Sequence, residues 1–269
     1  MSRSSALSVC HGCGVALSGE LAKQLETPDQ HLDPAVAAGY DRSAGAKFSP
    51  EEVQRTADVL VELAEGGPVV EFAIGTGRVA LPMAARGVAL SGMDISEPML
   101  AELHEKPGTD AIETMVGDMT STVMRSDASL VYLVFNTIGN LRTQEQQVAC
   151  FRNAAAHLRP GGRFVVEIGV PKLHQLPPGE SVRPFAWTGD YLGFDEYLDP
   201  VAQILVSRHY RFDGDQVARI SGAFRYVWPS ELDLMAQLAG LEFESRWAGW
   251  DRSEFTADSA LHVSVWRLP

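Results

Sequence analysis

Residues 69–80 have the sequence Val69-Val70-Glu71-Phe72-Ala73-Ile74-Gly75-Thr76-Gly77-Arg78-Val79-Ala80. The apolar start predicts a short strand, and the pattern from Arg78 onward predicts a helix, with a glycine turn between them. Glycine lets a backbone approach a ligand because no Cβ stands in the way, and the helix that follows offers free N–H groups. This pattern alone fits a dinucleotide site, and it also fits a tight turn that binds nothing.

The same strand–helix unit repeats on both sides of this stretch. Upstream, Ser49 caps a predicted helix, Pro50 suits its first position and Glu52 completes a capping box, before Gly66-Gly67 ends it. Strands are predicted at 68–72, 88–93, 112–116, 129–135 and 163–170, helices at 78–86, 97–105 and after Thr143, and a turn at 159–162. This alternation predicts an α/β fold with a doubly wound, mostly parallel sheet of seven strands.

The alternation stops after residue 170. Asp213-Gly214 separates two strand-like runs, 203–212 and 216–227, which predicts a hairpin within an antiparallel β insertion. A last helix is predicted from Ser230, as its cap, to Gly240, followed by strands at 241–247 and 261–266. The predicted organisation is an N-terminal tail (1–33), a cofactor-binding core (34–170), the antiparallel insertion (171–228) and a C-terminal completion of the sheet (229–269).

Composition excludes some functions. The formal net charge is −13, with 35 acidic against 22 basic residues, which argues against a nucleic-acid partner. The sequence has no apolar run of transmembrane length and no secretory signal, so a cytoplasmic protein without a membrane partner is expected. Cys10 and Cys13 have the spacing of half a zinc knuckle, but the second half is missing, and no metal site is expected.

Three acidic residues accompany the glycine turn. Glu71 lies four residues before the first glycine, and Asp94 ends the second predicted strand. Asp118 follows the third strand, in Gly117-Asp118-Met119. An acid at position 94 can accept hydrogen bonds from the two hydroxyls of a ribose, whether in NAD or in an adenosyl group. It can equally cap the helix that begins at Glu97.

These motifs, together with Pro160-Gly161-Gly162, resemble those of the class I S-adenosylmethionine-dependent methyltransferases in order and spacing over about residues 69–170. Ala38-Gly39-Tyr40-Asp41 is similar to a Tyr-Asp stretch of the members that act on small molecules. The resemblance implies a Rossmann-like fold, S-adenosyl-L-methionine as cofactor and S-adenosyl-L-homocysteine as product. The cofactor-binding residues that it implies are Tyr40, Glu71, Gly75, Thr76, Gly77, Arg78, Asp94, Ile95, Met99, Gly117, Asp118, Met119 and Phe135.

The resemblance also implies individual roles. Glu71 would lie under the charged methionine end of the cofactor, where a cation entering a dry pocket needs a counter-charge. Asp118 would accept from the adenine amino group, with Met119 against the ring, and Tyr40 would help to close the site. NAD-binding folds do not usually carry the motif at Asp118, which favours S-adenosylmethionine.

The predicted catalytic residues are His209, Asn136 and Tyr191. Asn136 follows the fourth strand, at the sheet edge where the methyl group would be transferred, although it could also be a structural turn residue. The segment after it lacks the Pro-Pro-aromatic motif of amino-DNA methyltransferases. His209 is a candidate base on the insertion, which is expected to form a substrate lid. Arg219 and Arg225 are expected on a polar face like that of His209.

The predicted function is methyl transfer to nitrogen or oxygen of a small molecule. Positioning and in-line displacement supply much of the catalysis, because the leaving thioether is neutral and needs no acid. An NAD(P)-dependent oxidoreductase and a non-catalytic S-adenosylmethionine-binding protein are the alternatives. The partners expected are the small-molecule acceptor and a second copy of the chain in a homodimer.

Overall fold

The computed structural model describes residues 32–43 and 49–269. The predicted tail, with Cys10 and Cys13, lies almost wholly outside the described residues. The described chain divides into two compact units. One, the sheet unit, comprises 32–138, 146–170 and 229–269 with the gap noted above; the other, the antiparallel unit, comprises 139–145 and 171–228.

The helices and strands follow the predicted alternation. The helices are α1 (Pro34–Ser43), α2 (Pro50–Ala64), α3 (Ala80–Ala84), α4 (Glu97–His104), α5 (Gln144–His157) and α6 (Pro229–Leu238). The strands are β1 (Val69–Phe72), β2 (Leu90–Asp94), β3 (Ile112–Val116), β4 (Ala128–Leu133), β5 (Leu158–Gly169), β6 (Val182–Trp187), β7 (Tyr191–Asp199), β8 (Ile204–Asp213), β9 (Gln216–Arg225), β10 (Glu242–Trp247) and β11 (Leu261–Arg267). Short 3-10 helices lie at Thr109–Ala111, Thr137–Asn140 and Leu173–Gln175.

Seven strands of the sheet unit form one sheet in the order β10-β11-β5-β4-β1-β2-β3. The pairs from β5 to β3 are parallel, whereas β11 is antiparallel to both of its neighbours. The chain order reverses at β1 and β4, which is the kind of switch point where open sheets bind ligands. The predicted doubly wound, mostly parallel sheet is therefore confirmed.

Burial explains why the central strands and the first long helix form where they do. Every residue of β1 and β4 is buried, as expected for strands covered by helices on both faces. Ser49 Oγ accepts from the Glu52 N–H, which confirms Ser49 as the N-cap of α2. Leu60, fully buried, lies on the face of α2 that packs on the core, and Glu65 ends the helix in the left-handed conformation.

Three predicted boundaries of the sheet unit were wrong. The helix after the glycine turn has only five residues, because turns occupy its expected start. The predicted turn at 159–162 lies within β5, where it interrupts the pairing with β4: Leu158 pairs with Ala128, but Arg163 pairs with Leu130. Ser230 does not cap α6, since the helix already begins at Pro229, whose fixed φ suits a first position.

The antiparallel unit contains one four-stranded sheet in the order β6-β7-β8-β9. The hairpin between β8 and β9 is confirmed, with Asp213 paired to Gln216 and Gly214 at φ 56°. The register corrects one prediction: Arg219 lies opposite Tyr210 and Arg225 opposite Ile204. Directly opposed residues share a face of a sheet, so both arginines lie on the face away from His209. No helix of the described ranges is long and apolar enough to cross a membrane.

Candidate active site

The glycine turn has a backbone that other residues rarely adopt. Gly75 and Gly77 have φ values of 55° and 77°. A Cβ at Gly77 would overlap Cδ1 of the buried Leu103, whereas one at Gly75 would meet nothing closer than 3.9 Å. Gly77 is therefore required by packing as well as by conformation. At Gly75 the neighbouring atoms lie at ordinary contact distance, so a ligand could approach the backbone there.

Asp94 holds the glycine turn from the end of β2. Its Oδ2 accepts from the Gly75 N–H at 2.8 Å, and its Oδ1 accepts from the Ser96 N–H at 2.8 Å. The residue that caps α4 is Ser96, whose Oγ accepts from the Met99 N–H. The alternative that Asp94 caps this helix is thus wrong. Met99 itself is buried in α4.

Glu71 lies beneath the turn, paired with a residue that the sequence motifs did not identify. Tyr132 lies directly opposite it on β4, and the Tyr132 hydroxyl donates to Glu71 Oε2 at 2.6 Å. Both side chains are buried. Burial is the main cause that raises the pKa of Glu71 to about 8, and the negative charge of Asp94 raises it further. The hydrogen bond from Tyr132 and the positive charge of Arg78 act in the opposite direction and lower it. Burial and the neighbouring Glu71 raise the pKa of Tyr132 well above its ordinary value.

Arg78 brings a positive charge close to the glycine turn. Its guanidinium lies over the Phe135 ring, 4.5 Å from the ring centroid. Burial lowers the pKa of Arg78. The electrostatic effects of four neighbours act in the opposite direction and raise it; they are Tyr40, Glu71, Glu167 and Asp41. Phe135 has a φ of 64° and donates its N–H to Glu167 Oε2 at 2.9 Å.

The Tyr-Asp stretch ties α1 to the glycine turn. Asp41 accepts from Thr76 Oγ1 and from Lys106 Nζ, both at 2.6 Å, and Lys106 also donates to the Thr76 carbonyl at 2.6 Å. Burial acts to raise the pKa of Asp41, but the hydrogen bonds from Lys106 and Thr76 outweigh it and hold the pKa below its ordinary value. The motif placed Asp41 here; no sequence signal pointed to Lys106.

Two cavities meet at this site. The glycine-loop cavity, of about 40 Å³, is lined by Tyr40, Glu71, Gly75, Thr76 and Arg78 among others. The strand-end cavity, of about 320 Å³, is open to solvent and includes Glu52, Thr56, Glu167, Trp250 and Leu261 in its wall. The two cavities share four wall residues, which are Arg78, Val79, Val134 and Phe135.

The ends of β2 and β3 offer a third surface. Ile95 directly follows β2, and Val116 ends the neighbouring strand β3; each is 57% exposed. Such apolar exposure suits a flat ring that would cover it. Asp118 is exposed nearby, and its Oδ1 accepts from both the N–H and the hydroxyl of Thr120 at 2.8 Å. The carbonyl of Met119 accepts from Asn153 Nδ2 at 3.0 Å, and Gly117 donates its N–H to the Asp94 carbonyl.

Asn136 joins the ends of β4 and β5. Its Oδ1 accepts from the Gly169 N–H at 2.6 Å, and its own N–H donates to the Glu167 carbonyl at 3.1 Å. Its φ is 62°, a conformation in which asparagine is tolerated better than most residues. These bonds give Asn136 a structural role, while its catalytic role stays a prediction.

The other two predicted catalytic residues lie together in the antiparallel unit. Tyr191 Oη and His209 Nδ1 are hydrogen-bonded at 2.6 Å, and His209 Nε2 lies 3.3 Å from Ser207 Oγ. Burial lowers the pKa of His209, with Asp195 opposing it, and burial raises the pKa of Tyr191. Across the two described ranges of the chain, no group of three or more His, Cys, Asp or Glu side chains could hold a metal ion.

Comparison with known proteins identifies the class of enzyme to which this geometry belongs. Residues 69–162 match the family described as a methyltransferase domain. The structure of the CcbJ methyltransferase from Streptomyces caelestis is 34% identical, with a TM-score of 0.78, and the match covers 87% of this chain and 96% of that one. The chain therefore belongs to the class I S-adenosylmethionine-dependent methyltransferases.

Two curated relatives are more distant. The cypemycin N-terminal methyltransferase of a Streptomyces species is 25% identical over 201 residues, which are 72% of this chain and 80% of the relative. The dTDP-3-amino-3,4,6-trideoxy-alpha-D-glucopyranose N,N-dimethyltransferase of Streptomyces venezuelae is 29% identical over 103 residues, which are 38% of this chain and 43% of that enzyme. Each is named as a methyltransferase, and the oxidoreductase alternative is set aside by the membership in this class.

The residues of the glycine turn fit S-adenosylmethionine, the cofactor of this class. The buried carboxyl of Glu71 lines the glycine-loop cavity, where it can meet the cationic methionine end. A Cβ at Gly75 would meet no atom closer than 3.9 Å, which leaves room for the cofactor against the backbone, and Asp94 accepts from the N–H of Gly75. The cofactor supplies a methyl carbon made electrophilic by its sulfonium.

Proposed function

We propose that this enzyme transfers a methyl group to an amine nitrogen of a small molecule. The observation that carries the proposal is the wall of the strand-end cavity. It combines two carboxylates, Glu52 and Glu167, with two aromatic residues, Phe135 and Trp250. Carboxylates and aromatic faces are the groups that stabilise a cation removed from water. An aliphatic amine arrives as an ammonium ion, so this wall suits it better than it suits a neutral hydroxyl.

The position of this cavity supports the same proposal. It borders the glycine-loop cavity through four shared residues, and it lies at the carboxyl ends of β4 and β5, marked by Phe135 and Glu167. Both acids have other partners: Glu52 is paired with Arg55 at 3.5 Å, and Glu167 accepts from the N–H of Phe135 at 2.9 Å. We assign the amine to Glu167 because Phe135 is one of the residues that the two cavities share. Among the described residues of the cavity wall, Arg78 is the one base, and its guanidinium is stacked on Phe135.

The names of the relatives add support for nitrogen. Of the two curated relatives described above, one is named as an N-terminal methyltransferase and the other as the N,N-dimethyltransferase of an amino sugar. The net charge of −13 favours a small-molecule acceptor over a nucleic acid. We extend the proposal to the antiparallel unit, as the part of the chain that selects the acceptor, and to a cytoplasmic location. Homodimer formation stays a prediction.

The chemistry makes modest demands on the side chains. An ammonium must lose a proton before its nitrogen can act as a nucleophile, and His209, paired with Tyr191, stays the predicted proton acceptor. Glu71, Asp94 and the glycine turn would hold the cofactor, and Glu167 and Phe135 would orient the amine. Orientation of this kind supplies much of the rate in a displacement that needs no acid for its leaving group.

The test compares acceptors that differ in one atom. The enzyme is incubated with S-adenosylmethionine and pairs of amines and alcohols on the same carbon skeleton, and products are detected by mass spectrometry. We expect N-methylated products and, for Glu167→Gln, a KM for the amine raised about tenfold, as for one lost charge-assisted contact. Glu242→Gln, an exposed acid on β10, is the matched control. Methylation of the alcohols alone would refute the assignment of nitrogen.

A further inference from the structure

Glu71 belongs to the glycine-turn motif, but its buried partner Tyr132 was not indicated by any sequence motif. The register of β1 and β4 places the two residues directly opposite each other, on one face of the sheet. The Tyr132 hydroxyl binds one carboxyl oxygen, Oε2, at 2.6 Å. Because Glu71 also lines the glycine-loop cavity, its carboxyl group lies between this phenol and the space that the cofactor would enter.

The charges around Glu71 do not favour its ionised form when no cation is added. Tyr132 faces it from β4, Asp94 acts on it from the end of β2, and Arg78 acts on it from the segment after β1. Arg78 also interacts with Glu167 and Asp41, so its charge is shared among several acids. Tyr40, from α1, lines the same cavity without supplying a positive charge. A buried carboxylate whose neighbouring guanidinium also interacts with other acids is costly, and protonation removes the cost.

We propose that Tyr132 is a positioning residue that holds the Glu71 carboxyl group toward the cationic end of S-adenosylmethionine, and that cofactor binding releases a proton from Glu71 to the solvent. The carboxyl O–H bond breaks, the proton passes to water or buffer, and the carboxylate stays bound to the Tyr132 hydroxyl, which keeps its own hydrogen. The proposal concerns cofactor binding only, so it does not depend on the identity of the acceptor.

The proposal fixes the direction of a pH dependence. In the cofactor-free protein the pKa of Glu71 is raised to about 8, so the carboxyl group is mainly protonated at neutral pH. A cation in the neighbouring cavity lowers that pKa. Affinity for the cofactor should then increase with pH, by up to about tenfold per pH unit, until the pH reaches the pKa of the free protein. Above that value the contribution of Glu71 to the pH dependence ends.

Isothermal titration calorimetry counts the released protons. S-adenosylmethionine and S-adenosylhomocysteine are each titrated into the protein at pH 7 in two buffers of different ionisation enthalpy. This pH lies below the pKa of the ligand's own amino group, about 7.7–8.0 for an ordinary α-amine. We expect close to one proton released per cofactor by the wild type and almost none by Glu71→Gln. Equal release by both proteins, or none by the wild type, would overturn the proposal.

The Tyr132→Phe variant separates positioning from mere packing. It removes one hydroxyl that stabilises the carboxylate, so we expect the Kd for the cofactor to increase about tenfold or more. The pH dependence should also move to higher pH. Tyr197→Phe is the control, because Tyr197 is also a buried tyrosine but lies in the antiparallel unit. It should change neither the Kd for the cofactor nor its pH dependence. An unchanged pH profile in Tyr132→Phe would refute the role of Tyr132, whereas failure to methylate amines would refute only the proposed function.

Discussion

The Gly75 N–H donates to Asp94 Oδ2 at 2.8 Å, and this bond ties the turn after β1 to the end of β2. The second oxygen of the same carboxylate accepts from the Ser96 N–H at 2.8 Å. A carboxylate that accepts two backbone N–H groups fixes both of them, and hydrogen bonds to a charged group are stronger than neutral ones. Asp94 thus orders the backbone of the glycine turn, whether or not it also contacts a ribose.

We expect Asp94→Asn to weaken cofactor binding and to destabilise the sheet unit. An amide can offer only one acceptor oxygen to the two N–H groups, so one donor loses its partner at a cost of about 1–3 kcal/mol. Calorimetry with S-adenosylhomocysteine and urea denaturation measure the two effects. Asp110→Asn, an exposed acid in the Thr109–Ala111 turn, is the control. Wild-type affinity and stability in Asp94→Asn would contradict the role of the carboxylate in ordering the turn.

Substitution of the two turn glycines should give unequal results. Gly77→Ala would place a Cβ against Leu103 in a left-handed backbone, so we expect a loss of stability of at least about 1 kcal/mol. Gly75→Ala carries only the conformational cost, because its Cβ would meet no atom closer than 3.9 Å. Thermal unfolding measures both. In a protein that carries Leu103→Val, the overlapping side chain is shorter, so Gly77→Ala should lower the stability by less than it does in the wild type. An equal loss of stability in the two backgrounds would show that overlap with Leu103 is not the cause.

The sequence predicted those parts of the molecule that depend on local pattern. The strand, glycine turn and helix around Gly75 follow from residues within one short window, and the Asp213-Gly214 hairpin follows from its turn residues. The faces of the hairpin were harder to predict: Arg219 lies on the face of Tyr210, because the closing pair at the turn fixes the whole register. β6 and β7 were not predicted as separate strands.

The rest of the site depends on contacts between distant parts of the chain. Tyr132 binds a residue 61 positions away, and Lys106 binds Asp41 across 65 positions. Nothing in the local sequence distinguishes Tyr132 from the other apolar residues of a buried strand. Once β1 and β4 are paired in the observed register, however, Tyr132 is the residue opposite Glu71. Strand order and register were therefore the missing information.

Burial of Glu71 should make the cofactor-free protein less stable as the pH increases. Its pKa is raised from an ordinary 4.5 to about 8 in the folded protein. Below the lower value both states are protonated and the group costs nothing. Between the two values the unfolded chain ionises first, so stability is lost at up to about 1.4 kcal/mol per pH unit. Above the upper value the loss is complete.

Denaturation at a series of pH values tests this effect in the cofactor-free enzyme. We expect Glu71→Gln to remove the decline between pH 4.5 and about 8 that the wild type shows. Glu65→Gln is the contrasting variant, because the ion pair with Arg163 lowers the pKa of that exposed acid instead. If the same loss of stability with increasing pH persists in Glu71→Gln, groups other than Glu71 cause it.

Three substitutions of Asn136 distinguish its structural role from its predicted catalytic role. Asn136→Gly keeps the φ of 62° accessible but removes the acceptor of the Gly169 N–H. Asn136→Asp keeps the acceptor, and Asn136→Ala loses the acceptor and strains the backbone. If the role is structural, stability should be lowest for Ala and activity should follow stability. A large loss of kcat in Asn136→Asp at wild-type stability would instead indicate a part in catalysis.

The Tyr191–His209 pair makes a prediction about pH and rate. Because burial lowers the pKa of His209, the neutral imidazole that can accept a proton should persist below the ordinary histidine pKa of about 6.5. If His209 is the base, kcat/KM should decrease on the acid side only below that value. His209→Gln should lower kcat by about 100-fold or more, the typical contribution of a general base.

Tyr191→Phe should move the acid limb of the pH profile while retaining much of the activity, because it removes only the partner of His209 Nδ1. Tyr210→Phe, on the opposite face of β8, is the control. An acid limb that survives in His209→Gln would show that another group accepts the proton.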